Sequence, residues 1–384
     1  MHVAYLSLTD FRSYHDLELA FDPGISVLVG PNGSGKTNVV EAIGYMGALT
    51  SHRVSGDVPL ISAGAGRAVV KVRLAHGDRT VNLAVEIAQG KTGPCMVNGV
   101  PARRRRDLAG ISRSVVFAPE DLALVKGDPA VRRGFLDNVL VQTSARWAAE
   151  LGDYERVAKQ RATLLKSLGA ARRAGRRPDE RTLDVWDAHL AEHGAKITVA
   201  RQDVVAALAP PTREAYRLLA SNGQLPEVTY AATTDEMALL DGQGDNDKER
   251  TAAHAELLYR AMALVRDKEI DRGVNLVGPH RDDLRLTLGG LPARGYASHG
   301  ESWSLALALK LGAFEILRDG QGGTPVLILD DVFAELDAER RATLAAMVGI
   351  ADQVFITAAV PGDIPASLDA TVFTVAGGQV HRAA

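Results

Sequence analysis

The order of apolar and polar positions in the first third of the chain is typical of β-structure. Apolar residues alternate with polar ones, or run together in short stretches, at Val3–Leu8, Ile25–Val29, Val69–Leu74 and Val81–Ile87. Asn98-Gly99 stands between two short apolar stretches and predicts a hairpin turn. Thr37–Leu49, which follows a glycine-rich loop, is predicted to be a helix.

The middle of the chain has a different pattern. From about Asn138 to Ser221 it is rich in Ala, Arg and Leu at helical spacing. Pro178 and Pro210-Pro211 are expected to interrupt these helices. The polar stretch Gln243–Asp247 contains two glycines and predicts a loop, after which Ala252–Ile270 is again helical. We therefore expect a mostly helical lobe inserted into the chain.

The last third returns to alternating helices and strands. Trp303–Leu317 is an apolar helix, and Val326–Leu329 is a continuous apolar run that predicts a strand buried on both faces. Further strands are predicted at Leu284–Leu288, Val354–Ile356 and Val372–Val375. The fold class that follows is α/β with an inserted helical lobe.

Composition narrows the class of protein. The 384 residues suggest roughly two domains, and a hydrophobic fraction of 46% is sufficient for a large core. The single cysteine, Cys95, excludes an internal disulfide framework and fits a reducing compartment. The sequence contains neither a signal-peptide pattern nor an uncharged apolar stretch of about 18 residues, so we expect a cytoplasmic protein without a membrane segment.

Residues 30–37 read GPNGSGKT and fit the phosphate-loop pattern G-x-x-x-x-G-K-[ST] between a predicted strand and a predicted helix. The glycines let backbone N–H groups converge on phosphate oxygens, and the helix presents its positive end to them. Lys36 supplies a charge to the β- and γ-phosphates, and Thr37 offers its hydroxyl to Mg²⁺. The alternative is a glycine-rich turn with a chance lysine. The predicted nucleotide-binding residues are Gly30, Pro31, Asn32, Gly33, Ser34, Gly35, Lys36, Thr37 and Asn38.

Residues 326–331 read VLILDD, an apolar strand that ends in two carboxylates. A parallel sheet binds its ligand at the carboxyl ends of its strands, so Asp330 is the predicted partner of Mg²⁺, directly or through water. Asp331 is predicted to orient the attacking water, and with Lys36 it forms the predicted catalytic pair. Because many ATPases have glutamate there, the shorter Asp331 predicts slow hydrolysis. The alternative is a strand end with two solvated acids.

Four segments together resemble the RecF family of bacterial recombination-repair proteins, within the ABC/SMC ATPase superfamily. They read NGSGKTNVVEAIGYMGALTSHR, VVFAPEDLALVKGDPAVRRGFLD, LVGPHRDDL and LILDDVFAELDAERR, and they cover nearly the whole chain except its helical middle. The resemblance implies an ABC/SMC-head-like ATPase lobe with an inserted helical lobe. The predicted division is 1–137 and 273–384 for the two parts of the ATPase lobe and 138–272 for the helical lobe.

The resemblance also assigns expected roles outside the phosphate loop. Residues 297–301, ASHGE, occupy the place of the ABC signature motif, where Ser298 and the N–H of Gly300 would meet the γ-phosphate bound by a partner subunit. An ordinary helix cap by Ser298 is the alternative. His299 and Glu301-Ser302 stand where glutamine is common, a departure that bears on the strength of the γ-phosphate contact.

Three further segments have expected roles that compete with structural ones. Asp337 in AELD matches the D-loop near a dimer interface, or caps a helix. Glu120 and Asp121 match the Q-loop segment that couples the site to the helical lobe, or act as caps. Where an ABC transporter has a switch histidine, this chain has Thr357, a weak substitute for sensing the γ-phosphate.

Other matches to the family carry less specific expectations. Arg12 is a candidate phosphate or base contact, and His52 and Arg53 are expected near the nucleotide or the DNA face, unless all three are ordinary surface residues. Pro279–Asp283 is expected to have a structural role or to lie at the edge of the site.

A net charge of −3 gives no general support for nucleic-acid binding, so DNA contacts would need local basic clusters. Aromatic residues make up only 5%, which favours backbone contacts over base stacking. A solvated charged face is the alternative for each cluster. The candidates are Arg103, Arg104, Arg105 and Arg106 beside the predicted hairpin, Arg172-Arg173 with Arg176-Arg177, and Arg132-Arg133.

The function implied is ATP-dependent DNA binding in recombinational repair and replication. ATP and Mg²⁺ would join two subunits into a homodimer that clamps DNA at gaps and helps RecO and RecR to load the recombinase, and a weak, DNA-stimulated ATPase activity would reset it. One alternative is an ABC-transporter nucleotide-binding subunit, which the missing switch histidine and the helical lobe disfavour. The other is a nucleotide-gated clamp with negligible hydrolysis.

Overall fold

The computed structural model describes residues 1–54, 56–176, 179–220, 223–233, 246–320 and 323–383. Its strands form two six-stranded sheets and one three-stranded sheet. The first sheet is antiparallel in the order β2-β1-β4-β5-β6-β7, with bounds His2–Phe11 (β1), Tyr14–Ala20 (β2), Arg67–His76 (β4), Arg79–Ala88 (β5), Lys91–Val97 (β6) and Val100–Pro101 (β7). The central sheet has the order β15-β14-β3-β13-β12-β8, with bounds Gly24–Val29 (β3), Ser114–Phe117 (β8), Val326–Asp330 (β12), Gln353–Ala358 (β13), Ala370–Ala376 (β14) and Gln379–Arg382 (β15). The small sheet has the order β11-β10-β9, with bounds Pro226–Ala231 (β9), Asp283–Leu288 (β10) and Leu291–Pro292 (β11).

Helices cover the central sheet and build most of the middle of the chain. Their bounds are Lys36–Ala48 (α1), Leu122–Lys126 (α2), Pro129–Thr143 (α3), Ala145–Arg173 (α4), Arg181–Leu219 (α5), Asp247–Arg272 (α6), His299–Asp319 (α7) and Ala338–Val348 (α8). A short turn of helix precedes α7 at Ala293–Tyr296. Short 3₁₀ segments lie at Val58–Leu60, Arg105–Leu108, Pro119–Asp121, Val332–Glu335 and Pro361–Asp363.

The central sheet is buried on both faces, which explains why its strands are continuous apolar runs. All five residues of β12 and all six of β13 are buried. One face joins α1 and the first sheet in a single apolar cluster, and the other face packs on α7, α5 and α3. The strands predicted in the first and last thirds, the Asn98-Gly99 turn and the helix after the glycine-rich loop are all confirmed.

The expectation that Pro210-Pro211 would interrupt the helix is wrong, because α5 continues through both prolines. Each proline removes one backbone donor, so the turns on either side need support from elsewhere. Packing on α7 supplies it: a Cβ at Gly312 would lie 2.7 Å from Thr212 Oγ1 and 2.9 Å from Leu208 Cδ1. The close contact of α5 with α7 therefore holds the helix on both sides of the prolines.

The middle of the chain is mostly helical, as predicted, but it also contributes a strand that the sequence pattern missed. Pro226–Ala231 pairs with Asp283–Leu288 in the small sheet. Of the expected loop Gln243–Asp247, only Asn246 and Asp247 are described; Asn246 caps the start of α6. Arg177 and Pro178 lie outside the described residues. No helix in the described ranges is long and apolar enough to cross a membrane.

Candidate nucleotide-binding site

The loop between β3 and α1 has a backbone that requires glycine at several positions. Gly33 and Gly35 have φ values of +80° and +108°, in the region that side chains disfavour. A Cβ at Gly30 would lie 2.1 Å from the carbonyl oxygen of Val375, and one at Gly35 would lie 2.6 Å from Tyr14 Oη. The glycines of the predicted phosphate loop are therefore needed for the path of the chain as well as for access to a ligand.

Lys36 is the first residue of α1, and its side chain folds back over the loop. Its ammonium group is buried and donates hydrogen bonds to the carbonyl oxygens of Gly30 (2.8 Å) and Pro31 (3.1 Å). Its hydrogen-bond partners are thus neutral and Asp331 attracts it electrostatically, so the ammonium can take a further counter-ion. An anion bound in the loop would supply one, at the positive end of α1.

Sheet topology explains how three distant residues meet beside the loop. β13 lies between β3 and β12, and its Thr357 is in register with Asp330. Asp330 Oδ1 accepts hydrogen bonds from Thr37 Oγ1 (2.9 Å) and Thr357 Oγ1 (2.6 Å). The carboxylate that ends β12 is thus placed directly against the first turn of α1.

The two consecutive carboxylates have different electrostatic environments. Burial acts to raise the pKa of Asp330, but the polar contacts of His52, Thr357 and Thr37 outweigh it and lower that pKa. Burial, followed by repulsion from Asp330, raises the pKa of Asp331. Asp331 adopts a left-handed φ of +54°, and its N–H donates to Thr357 Oγ1 at 2.9 Å. Asp330 is therefore the better anion, and Asp331 the better proton acceptor.

The Thr37 hydroxyl and the Asp330 carboxylate fit a Mg²⁺ site of the kind found with phosphates. Such sites use one or two protein oxygens and complete the octahedron with phosphate oxygens and water. No group of three or more His, Cys, Asp or Glu side chains suited to a metal occurs in the described part of the chain. The donor set suits a cation that arrives with a nucleotide.

Sequence reasoning missed a buried carboxylate on α1. Glu41 is fully buried one turn after Thr37, and Arg12 binds it with two hydrogen bonds of 2.9 and 2.6 Å. Ser51 also donates to it, at 2.5 Å. Arg12, a candidate phosphate or base contact, anchors the β1–β2 turn to α1. The sequence feature that could have indicated this contact was Glu41 itself, a single charged residue on an otherwise apolar helical face.

Comparison with known proteins decides the family. The family model described as "RecF/RecN/SMC N terminal domain" matches residues 2–372. A "DNA replication and repair protein RecF" from Frankia alni is 53% identical over 383 residues, covering 100% of both chains. The chain belongs to the RecF family.

Solved structures agree with this assignment. A structure of the recombination mediator protein RecF with ATP, from the RecFOR pathway, is 25% identical and has a TM-score of 0.87, covering 100% of this chain and 97% of that chain. The Smc head domain of Pyrococcus furiosus, bound to the C-terminal domain of ScpA, is 16% identical with a TM-score of 0.53 over 100% of this chain and 96% of that one. The expected ABC/SMC-head-like ATPase fold is confirmed.

The segment ASHGE, for which the resemblance predicts a signature motif, lies at the start of α7. Ser298 is exposed and caps this helix, accepting from Glu301 N at 3.3 Å while its own N–H donates to Glu301 Oε2 at 2.8 Å. Gly300 lies against the guanidinium of Arg340, to which a Cβ would approach within 3.0 Å. The helix-cap interpretation of Ser298 is therefore realised, and its exposed position leaves it accessible to a second molecule.

The segments matched to the Q-loop and D-loop also act as caps. Asp121 accepts from the N–H of Ala118 at 2.9 Å and pairs with Lys310 of α7 at 2.7 Å, whereas Glu120 is exposed. Asp337 caps α8 through the N–H of Arg340 at 2.9 Å. The Asp121–Lys310 ion pair joins the end of the central sheet to the helix that begins at Ser298.

Pro279–Asp283 has a structural role. His280 Nδ1 is 2.5 Å from Tyr154 Oη, and burial lowers the pKa of His280 to about 4. Asp282 accepts from Tyr230 Oη at 2.7 Å and from Thr233. These contacts connect α4, the small sheet and the loop before β10.

Some of the arginines predicted as DNA contacts are already bound to other groups of the protein. Arg132 is buried and holds Asp283 with bonds of 2.7 and 2.8 Å, and Arg133 donates to the Asp282 carbonyl at 2.8 Å. Arg132 is therefore part of the core, whereas Arg133 and the Asp283 carboxylate are half-buried. Arg105 binds Asp57 at 2.6 Å and lies over the Tyr45 ring.

Exposed arginines remain in two of the predicted clusters. Arg103 and Arg104 are exposed beside β7 at the edge of the first sheet, and Arg106 is half-buried. Arg172 is paired with Glu180 and Asp267, which partly neutralise it, while Arg176 is exposed. Arg103 and Arg104 are thus exposed side by side, and Arg173 and Arg176 are exposed in the other cluster.

Proposed function

We propose that this RecF-family chain binds ATP with Mg²⁺ and uses it to form a homodimer that binds DNA during repair. The observation that carries the proposal is the meeting of Lys36, Thr37, Asp330 and Asp331 at the carboxyl ends of β3 and β12. The structural relative in its ATP form supports the choice of nucleotide.

Each residue of the site has a distinct part in ATP binding and turnover. Backbone N–H groups of the loop and the start of α1 receive the phosphates, and the Lys36 ammonium moves from its carbonyl partners to the β- and γ-phosphates. Thr37 and Asp330 hold Mg²⁺, which would neutralise charge on the transferred phosphoryl group. Asp331 accepts a hydrogen bond from the attacking water. Its short side chain supports a weak ATPase, and we propose that DNA binding stimulates it.

Dimerisation follows from an incomplete site. The phosphate loop and Asp330 form one cluster, while Ser298 and Gly300 form part of a separate, exposed helix end. A second subunit can place that helix end on the γ-phosphate, where its positive dipole stabilises the charge. ATP that binds the dimer preferentially must strengthen dimerisation by the same factor.

We expect Ser298→Asp to block ATP-dependent dimerisation while leaving ATP binding to the monomer intact. Aspartate is as good a helix cap as serine, but it places a negative charge toward the γ-phosphate, and juxtaposed like charges cost several kcal/mol. The dimer dissociation constant should rise by more than about tenfold, measured by sedimentation velocity with and without ATP-Mg²⁺.

Ser298→Asn is the matched control, because it caps the helix equally well without a charge. It should retain most of the ATP-dependent dimer. If the Asp variant dimerises as the wild type does, or if both variants fail equally, the signature segment does not meet the partner's nucleotide.

The DNA-binding part of the proposal rests on exposed basic residues and family membership. Contacts to backbone phosphates need accessible cations, and Arg103 and Arg104 are exposed in the bend that follows β7. We propose gapped DNA as the target and the RecO and RecR proteins as partners in loading the recombinase, in line with the pathway named for the structural relative.

We expect Arg103→Ala with Arg104→Ala to weaken duplex binding and to lower its salt dependence. Each lost phosphate contact reduces the slope of log K against log salt by about 1, so the double variant should lose about 2. Fluorescence anisotropy with ATP over a salt series measures this. Arg260→Ala, at an exposed ion pair on α6, should leave the slope unchanged. An unchanged slope in the double variant would exclude this edge as the DNA site.

A further inference from the structure

The loop after α1 places a histidine beside the metal-binding carboxylate. His52 Nε2 lies 3.9 Å from Asp330 Oδ2, and the imidazole is 15% exposed. Among the described residues, this buried nitrogen has no hydrogen-bond partner. An unpaired buried polar atom is costly in free energy, so its position calls for a functional explanation.

Asp330 has its two oxygens in different surroundings. Oδ1 receives both threonine hydroxyls, at 2.9 Å from Thr37 and 2.6 Å from Thr357. His52 faces the other oxygen, Oδ2. If the Thr37 hydroxyl turns to a cation, Asp330 loses one of the two bonds that orient it.

The histidine is carried by a loop that is fixed on both sides. Ser51 donates to Glu41 at 2.5 Å and accepts from the N–H of Arg53 at 3.0 Å. The Arg53 guanidinium lies 3.4 Å from Glu41 Oε2, and Arg12 holds the same carboxylate from the other side. The buried Glu41 therefore acts as the anchor of residues 51–53, which is the kind of support that keeps a functional side chain in place.

The His52 imidazole is close to hydrogen-bond distance from Asp330 Oδ2 and has room to move closer to it. An N–H···O bond of about 2.9 Å needs a movement of about 1 Å from the 3.9 Å separation. His52 also lines a cavity of about 410 Å³ that extends to Glu120, Asp121 and Asn138. A small rotation of the ring is thus sterically available.

We propose that His52 is a positioning residue that holds Asp330 Oδ2 when nucleotide and Mg²⁺ are bound. The inference rests on the proposed ATP function. His52 takes over from Thr37 as the second group that orients the carboxylate, and so keeps Oδ1 directed to the cation. It provides an imidazole beside the same carboxylate that Thr357 of β13 contacts.

The test compares His52→Phe, His52→Gln and the wild type in ATP binding and in hydrolysis over a Mg²⁺ titration. Phenylalanine keeps the ring but cannot donate, whereas the glutamine amide can donate at similar reach. Groups that orient a metal ligand contribute about ten- to a hundredfold to metal affinity or activity. His52→Phe should raise the half-saturating Mg²⁺ concentration and lower kcat by about tenfold. His52→Gln should recover much of both.

Calorimetric ATP binding with and without Mg²⁺ separates positioning from packing. In His52→Phe, metal-free binding should stay as in the wild type, and only the gain on adding Mg²⁺ should shrink. An unchanged Mg²⁺ dependence, an equal loss without the metal, or the absence of rescue by glutamine would overturn the proposal. His189→Phe, an exposed position on α5, should behave as the wild type. If Lys36→Met also binds ATP normally, the proposed function itself fails.

Discussion

Replacing Lys36 by methionine should weaken ATP binding so far that ATP-dependent dimerisation is lost. The ammonium is buried at the start of α1, and removing one partner of a buried, hydrogen-bonded charge pair costs about 2–5 kcal/mol. That is roughly thirtyfold or more in the dissociation constant. Isothermal titration calorimetry measures the loss of binding, and sedimentation with and without ATP measures the loss of the dimer.

Methionine preserves most of the aliphatic stem, so the fold should survive. The variant gives up two hydrogen bonds to the carbonyls of Gly30 and Pro31, but it also removes a buried charge, and the thermal midpoint should change little. An ATP-indifferent monomer in the wild type, or a Lys36→Met protein that dimerises normally with ATP, would contradict the proposed cycle.

Asp331→Asn separates binding from turnover in the same assays. The amide cannot accept a proton from water, but Asp330 and the phosphate loop remain intact. The variant should therefore bind ATP and dimerise while releasing less phosphate than the wild type. Phosphate release equal to that of the wild type would remove Asp331 from the catalytic role and favour a clamp that is gated by nucleotide without hydrolysis.

The phosphate loop and the carboxylate strand could be predicted because both are local. Glycines, a lysine and a threonine in fixed order describe a backbone path, and a continuous apolar run ending in Asp330 describes a buried parallel strand. Their meeting follows from a general rule, since carboxyl ends of parallel strands share one edge of the sheet. Thr357 could be placed there for the same reason.

Features that depend on distant partners could not be predicted from the sequence. Arg132 belongs to a short run of arginines that is typical of a surface. It is nevertheless buried, where it forms an ion pair with Asp283, 151 positions later in the chain. Two consecutive prolines favour the end of a helix. Here the packing of α5 on Gly312 overrides that local preference, and the helix continues. His52 and Glu41 belong to the site only through the folded path of residues 51–53.

The second large effect is expected from a substitution at a buried arginine in the helical middle of the chain. Arg161 is completely buried on α4 and joins two more helices: its Nε donates to Asp187 of α5 at 2.5 Å, and its Nη2 to Glu269 of α6 at 2.6 Å. Nη1 donates to Asn275 at 2.9 Å. One guanidinium therefore satisfies two buried carboxylates and an amide, and fixes the mutual position of three helices.

Replacing Arg161 by methionine should lower the free energy of unfolding by about 3–5 kcal/mol, because it leaves the buried Glu269 without this arginine and leaves Asp187 with only Arg266 as an ion-pair partner. Urea denaturation followed by circular dichroism measures the change. Arg156→Met on the same helix removes an exposed pair with Asp153 and should cost at most about 1 kcal/mol. The network joins α4, α5 and α6 and includes no residue of the phosphate loop or of α1, so ATP binding to folded Arg161→Met should match the wild type. If the two variants were equally stable, the buried network would be dispensable, and apolar contacts alone would hold the three helices together.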